Sequence, residues 1–358
     1  MELLFFLIIS LVFILVSCII FTNSVEWLGA RLNLSHGITG SILAAVGTAL
    51  PETVVPLVAI FWGITQADFA LILKGDLDSL SLTNQISIGA IIGAPFMLST
   101  IAFFLVGLAG FVYKNSGRRK SDVIAVDKTF LERDLKFFIL SFTLAFVAVF
   151  LSRGFHLILG MLLICFYGVY LYETFTKEKD VEKKLSHEDG TLDPLLIARF
   201  FPDVKKPTLI LILLQLVISL GCLIYSAHHF VEIIKEISYK LDVSPFIISL
   251  LLTPIATELP EKFNSWLWMR QKQDILAVGN ISGALVFQST FPVTVGLLFT
   301  SWTIKSPALY LCFVVCLVNA LFVLIMLKKK ELTYKHFLCC GVLYLVYLVL
   351  IWFWSTLK

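Results

Sequence analysis

Charged residues are scarce in this sequence of 358 residues: Asp, Glu, Lys and Arg make up 15%, whereas hydrophobic residues make up 58%. This composition excludes an ordinary soluble domain and is typical of a chain that crosses a membrane several times. The signatures HExxH and GxSxG are missing, as is the CxxC spacing of metal sites. The seven cysteines all fall in apolar runs, so we expect small residues that face lipid or the core.

Ten apolar runs are long enough to cross a bilayer as helices, which takes about 20 residues each. The first run follows Glu2 rather than basic residues, and no small-residue cleavage site comes after it. We therefore expect a retained helix rather than a signal peptide. The sequence predicts an all-α polytopic membrane protein with ten transmembrane helices. The ten runs cover residues 3–22, 38–63, 85–112, 136–152, 154–173, 208–230, 244–269, 275–302, 307–327 and 335–355.

Lysine and arginine are distributed unequally between the loops that join these runs. Twenty-one of them fall in loops of one parity and six in loops of the other. Basic residues concentrate in cytoplasmic loops, so we expect a cell-membrane protein with both termini outside and the mixed-charge segment 174–207 inside.

The segment 174–207 also separates two halves, a first five-helix repeat over residues 1–173 and a second over residues 208–358. Because five is odd, the second half must begin on the opposite face of the membrane. The predicted architecture is therefore two inverted five-helix repeats. Such repeats support alternating access around a site near the middle of the bilayer.

Two eighteen-residue stretches, in the second and seventh runs, match one another without gaps. The first, SHGITGSILAAVGTALPE, ends at Glu52, and the second, SPFIISLLLTPIATELPE, ends at Glu261. A carboxylate inside a membrane-spanning helix costs about 2.5–3.5 kcal/mol on insertion, so it indicates a functional site. Two glutamates at matching positions of two halves predict a transport site.

Each glutamate comes with two further kinds of oxygen ligand. A threonine four residues earlier shares its helix face. The proline beside each glutamate lacks an N–H, and so leaves the carbonyl four residues before it without a helical partner. Carboxylate, hydroxyl and carbonyl oxygens together suit hard cations such as Ca²⁺ and Na⁺. The predicted ligands are Glu52, Thr48 and Gly47 in the first half, and Glu261, Thr257 and Ala256 in the second.

A second pair of segments follows these motifs, GAIIGA from Gly89 and GNISGA from Gly279. Glycines four residues apart allow two helices to approach closely. Asn280 is the more informative residue, because its amide carbonyl can coordinate a cation. Gln288 and Ser289, two turns later, either line an access path or bond a neighbouring helix.

The motif that ends at Glu52 and the glycine segment behind it resemble the α-repeats of the cation/Ca²⁺ exchanger superfamily, and most of all prokaryotic sodium/calcium exchanger membrane-region proteins. The resemblance implies inverted repeats, a central diamond of oxygen ligands, and Ca²⁺ export coupled to entry of Na⁺ or H⁺. It places the essential acids on Glu52 and Glu261 and the hydroxyls on Thr48 and Thr257. The similarity is specific in residues 37–63, 85–98, 244–265 and 275–292.

Four positions depart from the superfamily's pattern. Its remaining acidic or amide ligands fall on Ala90 and Asn280. Ala90 cannot coordinate through its side chain, and Asn280 stands where well-studied sodium-coupled members have an acid. Ala49 and Glu258 stand where a serine is usual. Because Glu258 lies three residues before Glu261, we expect these two acids to share a proton and to couple transport to pH. The alternative is that Glu258 bonds a neighbouring helix or Lys262.

Lys262 either extends to water or neutralises one glutamate, and we favour the first. The chain is predicted to be a secondary antiporter that exchanges Ca²⁺ for Na⁺ or H⁺ by alternating access, and not an enzyme. We expect no cofactor beyond the transported ions. The expected partners are inorganic cations and the lipid bilayer, with no nucleic acid and no obligatory protein partner.

Three alternatives remain open: a monovalent cation/proton antiporter, a channel, and an intramembrane enzyme of the polyprenyl-phosphate phosphatase type. The enzyme would need an arginine for its phosphate, and no arginine lies near Glu52 or Glu261 in the sequence.

Overall fold

Helices account for almost all of the described chain. The computed structural model describes residues 2–31, 44–61, 81–185, 194–196, 207–303, 306–329 and 331–356. Within these ranges the β-type pairing is a single isolated bridge between Val123 and Thr333. The predicted all-α fold class is therefore confirmed for the described residues.

The described part of the first half folds into six helices. The third apolar run is one continuous rod, because a π-helical turn, Leu98–Ala102, joins its two α-helices. The six are α1 (Glu2–Arg31), α2 (Ala44–Phe61), α3 (Ser81–Met97), α4 (Phe103–Asn115), α5 (Lys128–Ala148) and α6 (Arg153–Leu185).

The second half contributes seven helices because two of its apolar runs are each divided. Pro260 and Pro292 stand in the first turn of α9 and of α11, where the N–H that proline lacks would have no helical partner anyway. The seven are α7 (Leu209–Leu241), α8 (Pro245–Thr257), α9 (Leu259–Arg270), α10 (Asp274–Gln288), α11 (Phe291–Phe299), α12 (Pro307–Lys329) and α13 (Tyr334–Thr356).

Four helices extend further than the apolar runs predict: α1 continues to Arg31, α5 begins already at Lys128, and α6 and α7 both end later than expected. α6 continues to Leu185, so residues 174–185 of the predicted connecting loop are helical. α7 continues past residue 230 and ends at Asp242, whose φ of 51° is left-handed and stops the helix. Amphipathic residues that hydropathy assigns to loops extend α6 and α7 by several turns.

Seven helical segments of the described chain are long and apolar enough to cross a membrane, and two shorter apolar helices lie in the second and seventh runs. The fourth run corresponds to α5, whose first turns carry several charged residues. The ten-helix count remains a prediction. The seven segments are Leu3–Val25, Asn84–Asn115, Arg153–Thr174, Leu209–Leu241, Asp274–Phe299, Pro307–Lys329 and Tyr334–Trp354.

α3 packs closely along α8, and the two helices run in the same direction. A Cβ atom at Gly89 would lie 2.5 Å from the carbonyl oxygen of Phe246, and one at Gly93 would meet the carbonyl of Leu250. The predicted close approach at this glycine pair is thus confirmed. It brings α8 against the first half of the chain.

α5 and α10 also run parallel. The Oγ of Ser282 donates to Asp134 at 2.6 Å, and seven residues further along both helices Ser141 and Ser289 are 2.6 Å apart. Arg133 pairs with Asp134 at 2.9 Å and is buried, although the charge count assigned it to a loop. The pairing offsets the burial of both charges, and the bond from Ser282 to Asp134 joins α10 to α5.

Candidate cation-binding centre

The helix of the seventh run is interrupted at Glu258. Thr257 is the last residue of α8, and Glu258 has φ −96° and ψ 6°. Pro254 and Pro260 flank this residue, and each lacks an N–H that would continue the helical hydrogen bonds. α2 instead continues as one helix through both of its prolines, Pro51 and Pro56. At the repeated motif, the described residues therefore show a helix interruption in the second half and not in the first.

Glu261 and Glu52 are buried on helices from opposite halves of the chain. Glu261 is 1% exposed and lies in the first turn of α9, where the partial positive charge of the helix start favours a carboxylate. Glu52 is 2% exposed in α2, and neither of its carboxylate oxygens has a hydrogen-bond partner among the described residues. In its ionised form, a carboxylate buried in this way needs a positive counterpart.

A third carboxylate, that of fully buried Glu258, lies in the same region. Glu52, Glu258 and Glu261 are close enough for their charges to repel one another. The described residues nevertheless contain no group of three or more His, Cys, Asp or Glu side chains placed to hold a metal ion. The three carboxylates thus do not converge on one ion in this conformation.

Lys262 balances one of the three carboxylates. Its Nζ lies 3.2 Å from Oε2 of Glu258 and donates a hydrogen bond to the carbonyl oxygen of Pro254 at 3.1 Å. The side chain is buried, so the expectation that Lys262 extends to water is wrong. The physical reason is spacing: residues at i−4 and i−8 lie on the same face and offer two oxygens to the ammonium group. Glu258 bonds Lys262, which was one of the alternatives to proton sharing with Glu261.

Asn280 on α10 is oriented by the start of α9. Its Nδ2 donates to the carbonyl oxygen of Glu261 and to Oγ of Ser265, both at 3.4 Å. A backbone carbonyl can only accept, so the NH₂ group must face it. The amide oxygen of Asn280 then points away from these two partners.

A column of hydroxyl groups along α8 leads to the interruption. The hydroxyls of Ser249 and Thr253 are 3.0 Å apart, and Thr257 donates to the carbonyl of Thr253 at 3.3 Å. Ser249 also donates to the carbonyl of Ile86 on α3 at 2.7 Å. The four-residue spacing of Ser249, Thr253 and Thr257 is visible in the sequence, although the motif comparison singles out Thr257 alone.

Gln288 and Ser289 make different contacts, although they are adjacent in the chain. Ser289 bonds Ser141 on α5, which is the neighbouring-helix alternative. Gln288 is fully buried and lies beside the carboxylate of Glu258, at the candidate centre.

For several positions of the predicted ligand pattern, the described part of the structure shows no side-chain oxygen at the candidate centre. Ala90 is 2% exposed and supplies no side-chain oxygen. The backbone of Gly47 and Thr48 lies in α2 and that of Ala256 in α8, but their further placement is outside the described part of the chain. A Cβ at Gly279 would meet nothing within 4 Å, so the second glycine segment lacks the close contact found at the first.

Carboxylate, hydroxyl and amide oxygens on discontinuous helices, inside an apolar bundle, define a membrane transporter for hard cations. The family model of the sodium/calcium exchanger protein matches residues 2–176 and 211–353. This chain belongs to that family. The superfamily indicated by the sequence motifs is confirmed, as is the assignment to multi-pass transporters rather than enzymes.

One curated relative and two solved structures are similar to this chain. An uncharacterized membrane protein of Methanocaldococcus jannaschii is 25% identical over 274 residues, which cover 76% of this chain and 74% of the relative. The crystal structure of the H⁺/Ca²⁺ exchanger CAX matches with a TM-score of 0.70 at 16% identity, over 97% of this chain and 82% of that one. A structure of the sodium-calcium exchanger NCX_Mj matches at 0.55 and 20% identity, over 97% of each chain. These two structures share the fold.

Proposed function

We propose that this protein is a secondary antiporter that exchanges Ca²⁺ for Na⁺ or H⁺ across the cell membrane by alternating access. The observation that carries the proposal is the burial of Glu52, with two unpartnered oxygens among the described residues, in the same charged region as Glu261. Together these carboxylates carry two negative charges. One divalent cation or two monovalent cations neutralise them, which is the requirement for exchange at a shared site.

The proposed ligands combine side chains and carbonyl groups. Glu258 contributes to the charge balance rather than to direct coordination, because Lys262 engages it. The proposed direct ligands are the side chains of Glu52, Glu261, Thr48, Thr257 and Asn280 and the carbonyl oxygens of Gly47 and Ala256.

Helix directions support the proposed inverted repeats. α3 and α8 run parallel, as do α5 and α10. α4 and α13 run antiparallel, since Gly110 lies against Tyr334 and Gly341 against Phe104. These directions are the ones expected if all ten apolar runs cross the membrane alternately. Two halves of five runs then begin on opposite faces.

Cysteine labelling tests this topology directly. In a cysteine-free background, we expect positions 183 and 329 to react with impermeant reagents from the cytoplasm, and positions 76 and 305 from outside. Uniform reversal of the pattern would contradict the orientation alone. A mixed pattern would contradict the ten crossings.

Flux in proteoliposomes tests the function. Purified protein should take up ⁴⁵Ca²⁺ when an outward Na⁺ gradient or an outward proton gradient is imposed, with the two gradients applied separately. Uptake with one gradient and not the other identifies the driving ion. Na⁺ movement against protons without any Ca²⁺ flux would contradict the proposal and favour a monovalent cation/proton antiporter. Ca²⁺ movement without coupling to either gradient would favour a channel.

A further inference from the structure

Among the differences between the second-half motif and the first, two within the motif and one just after it are spaced four residues apart. These positions are Pro254, Glu258 and Lys262, which stand where the first half has Ala45, Ala49 and Thr53. The helix is interrupted at Glu258, but the N–H of Glu258 still bonds the carbonyl of Pro254, and the N–H of Lys262 bonds the carbonyl of Glu258. The three positions therefore stay one turn apart and form one structural unit.

The contacts show what this unit does. The ammonium group of Lys262 lies between the Oε2 atom of Glu258 and the carbonyl oxygen of Pro254, at 3.2 and 3.1 Å. A carboxylate with a backbone carbonyl is the combination of oxygens that a hard metal cation binds in proteins. The ammonium therefore holds a position, inside the charged region, that would suit a mobile cation.

Among the described residues, the charged region contains three carboxylates and one ammonium group. The charged side chains that act on Glu52 are Glu261, Glu258 and Lys262, of which Lys262 contacts Glu258. Lys262 cancels one negative charge, and two remain for transported ions.

We propose that Lys262 is a tethered cation that replaces one transported monovalent ion, so that two monovalent cations exchange for each Ca²⁺ and no net charge crosses the membrane. This inference rests on the proposed function, because it specifies the ion balance of the same centre. It concerns the number of ions moved, which a purely structural ion pair would leave unchanged.

The dependence of Ca²⁺ accumulation on membrane potential tests the proposal. In proteoliposomes clamped with valinomycin and K⁺, the wild-type accumulation ratio should be the same at 0 and −100 mV. In Lys262→Met, Glu258 should take up one additional mobile cation, so that one net charge moves in each cycle. The accumulation ratio should then shift about 50-fold for each 100 mV.

Lys240→Met provides the matched control. Lys240 pairs with Glu236 at 2.8 Å and at the same four-residue spacing, but both side chains are exposed. This variant should behave as the wild type. Voltage-dependent accumulation by the wild type would overturn the proposal, whether or not Lys262→Met folds. Voltage-independent accumulation by folded Lys262→Met would also overturn it.

A binding measurement separates this inference from the proposed function. In detergent, NaCl should raise the unfolding temperature of Lys262→Met above its value in choline chloride, and the increase should exceed that of the wild type. The double variant Glu258→Gln/Lys262→Met, which lacks both charges, should not show the additional increase. If the wild type moves no Ca²⁺ under any gradient, the proposed function fails. Where the flux assay identifies Na⁺ as the driving ion, an equal Na⁺ response in all three proteins overturns the role of Lys262. Where it identifies H⁺, the voltage measurement decides.

Discussion

The two copies of the motif both bury a glutamate in the candidate centre, but the backbone that carries it differs. In the first copy, Glu52 lies in the middle of one continuous helix and has no hydrogen-bond partner among the described residues. In the second copy, Glu261 stands in the first turn of a new helix, and Asn280 bonds its backbone carbonyl. The same sequence motif is therefore compatible with a new helix start in one half and an uninterrupted helix in the other.

The threonine four residues before the acid and the proline beside it repeat with it, but the other polar groups around the acid do not. The second copy adds the hydroxyls of Ser249 and Thr253 and the ion pair of Glu258 with Lys262, whereas the first copy has no polar side chain at the positions matching Ser249, Thr253 and Glu258. At these three positions, the second half alone supplies polar side chains around the candidate centre.

Removal of either repeated carboxylate should have the largest effect. Glu52→Gln and Glu261→Gln should each reduce Ca²⁺ exchange more than 100-fold, because leaving one buried charge without its counterpart costs at least about 3 kcal/mol. The measurement is ⁴⁵Ca²⁺ flux in proteoliposomes at matched protein content. Exposed Glu236 supplies the control variant Glu236→Gln, which should retain full exchange. Loss in only one of the two variants would show that the halves are not functionally equivalent.

The glycine segments should differ strongly in their tolerance of side chains. Gly93→Leu should lower the free energy of unfolding by about 3 kcal/mol or more, because the side chain would meet the backbone of α8. Gly279→Leu, in the matching segment, should change it by less than about 0.5 kcal/mol, since nothing lies within 4 Å of its Cβ. Chemical unfolding in detergent measures both. Equal destabilisation would contradict the asymmetry of helix packing.

Loss of the amide at Asn280 should have a moderate effect, with no counterpart at Ala90. Asn280→Ala should weaken apparent Ca²⁺ affinity roughly tenfold, as expected for the loss of about 1.4 kcal/mol from one neutral oxygen ligand. Calorimetric Ca²⁺ titration provides the measurement. Asn319→Ala is the control, because the amide of Asn319 bonds the carbonyl of Cys340 in another part of the bundle. Unchanged affinity in Asn280→Ala would remove this residue from the ligand set.

The hydroxyl column should give the smallest effect. Thr253→Val keeps the shape of the side chain and removes its bond with Ser249, which should cost about 1 kcal/mol of unfolding free energy at most. Thr143→Val serves as comparison, because the hydroxyl of Thr143 bonds only its own helix, at the carbonyl of Ile139. Ca²⁺ flux should fall less than about fivefold. A loss as large as that of Glu261→Gln would make Thr253 a ligand rather than part of the surrounding polar column.

Much of the architecture could be predicted because hydropathy reports directly on lipid burial. Each of the ten apolar runs contains described helix, but the ends of α6 and α7 were missed, since their last turns are amphipathic. Of the candidate ligands, the burial of Glu52, Glu261 and Thr257 was predictable, because a polar residue inside an apolar run has few alternatives to the interior of the bundle. The interruption at Glu258 was not, since proline spacing alone does not distinguish α2 from α8 and α9.

The sequence by itself determined the membrane class, the family and the pair of acids, because each depends on residue type and spacing along one chain. Tertiary structure alone decided which helices lie together and what Lys262 contacts. The spacing from Glu258 to Lys262 is compatible with pairing and equally with extension to water. The choice depends on whether that face of α9 is covered, and the helices packed around it bury the ammonium group beside Glu258.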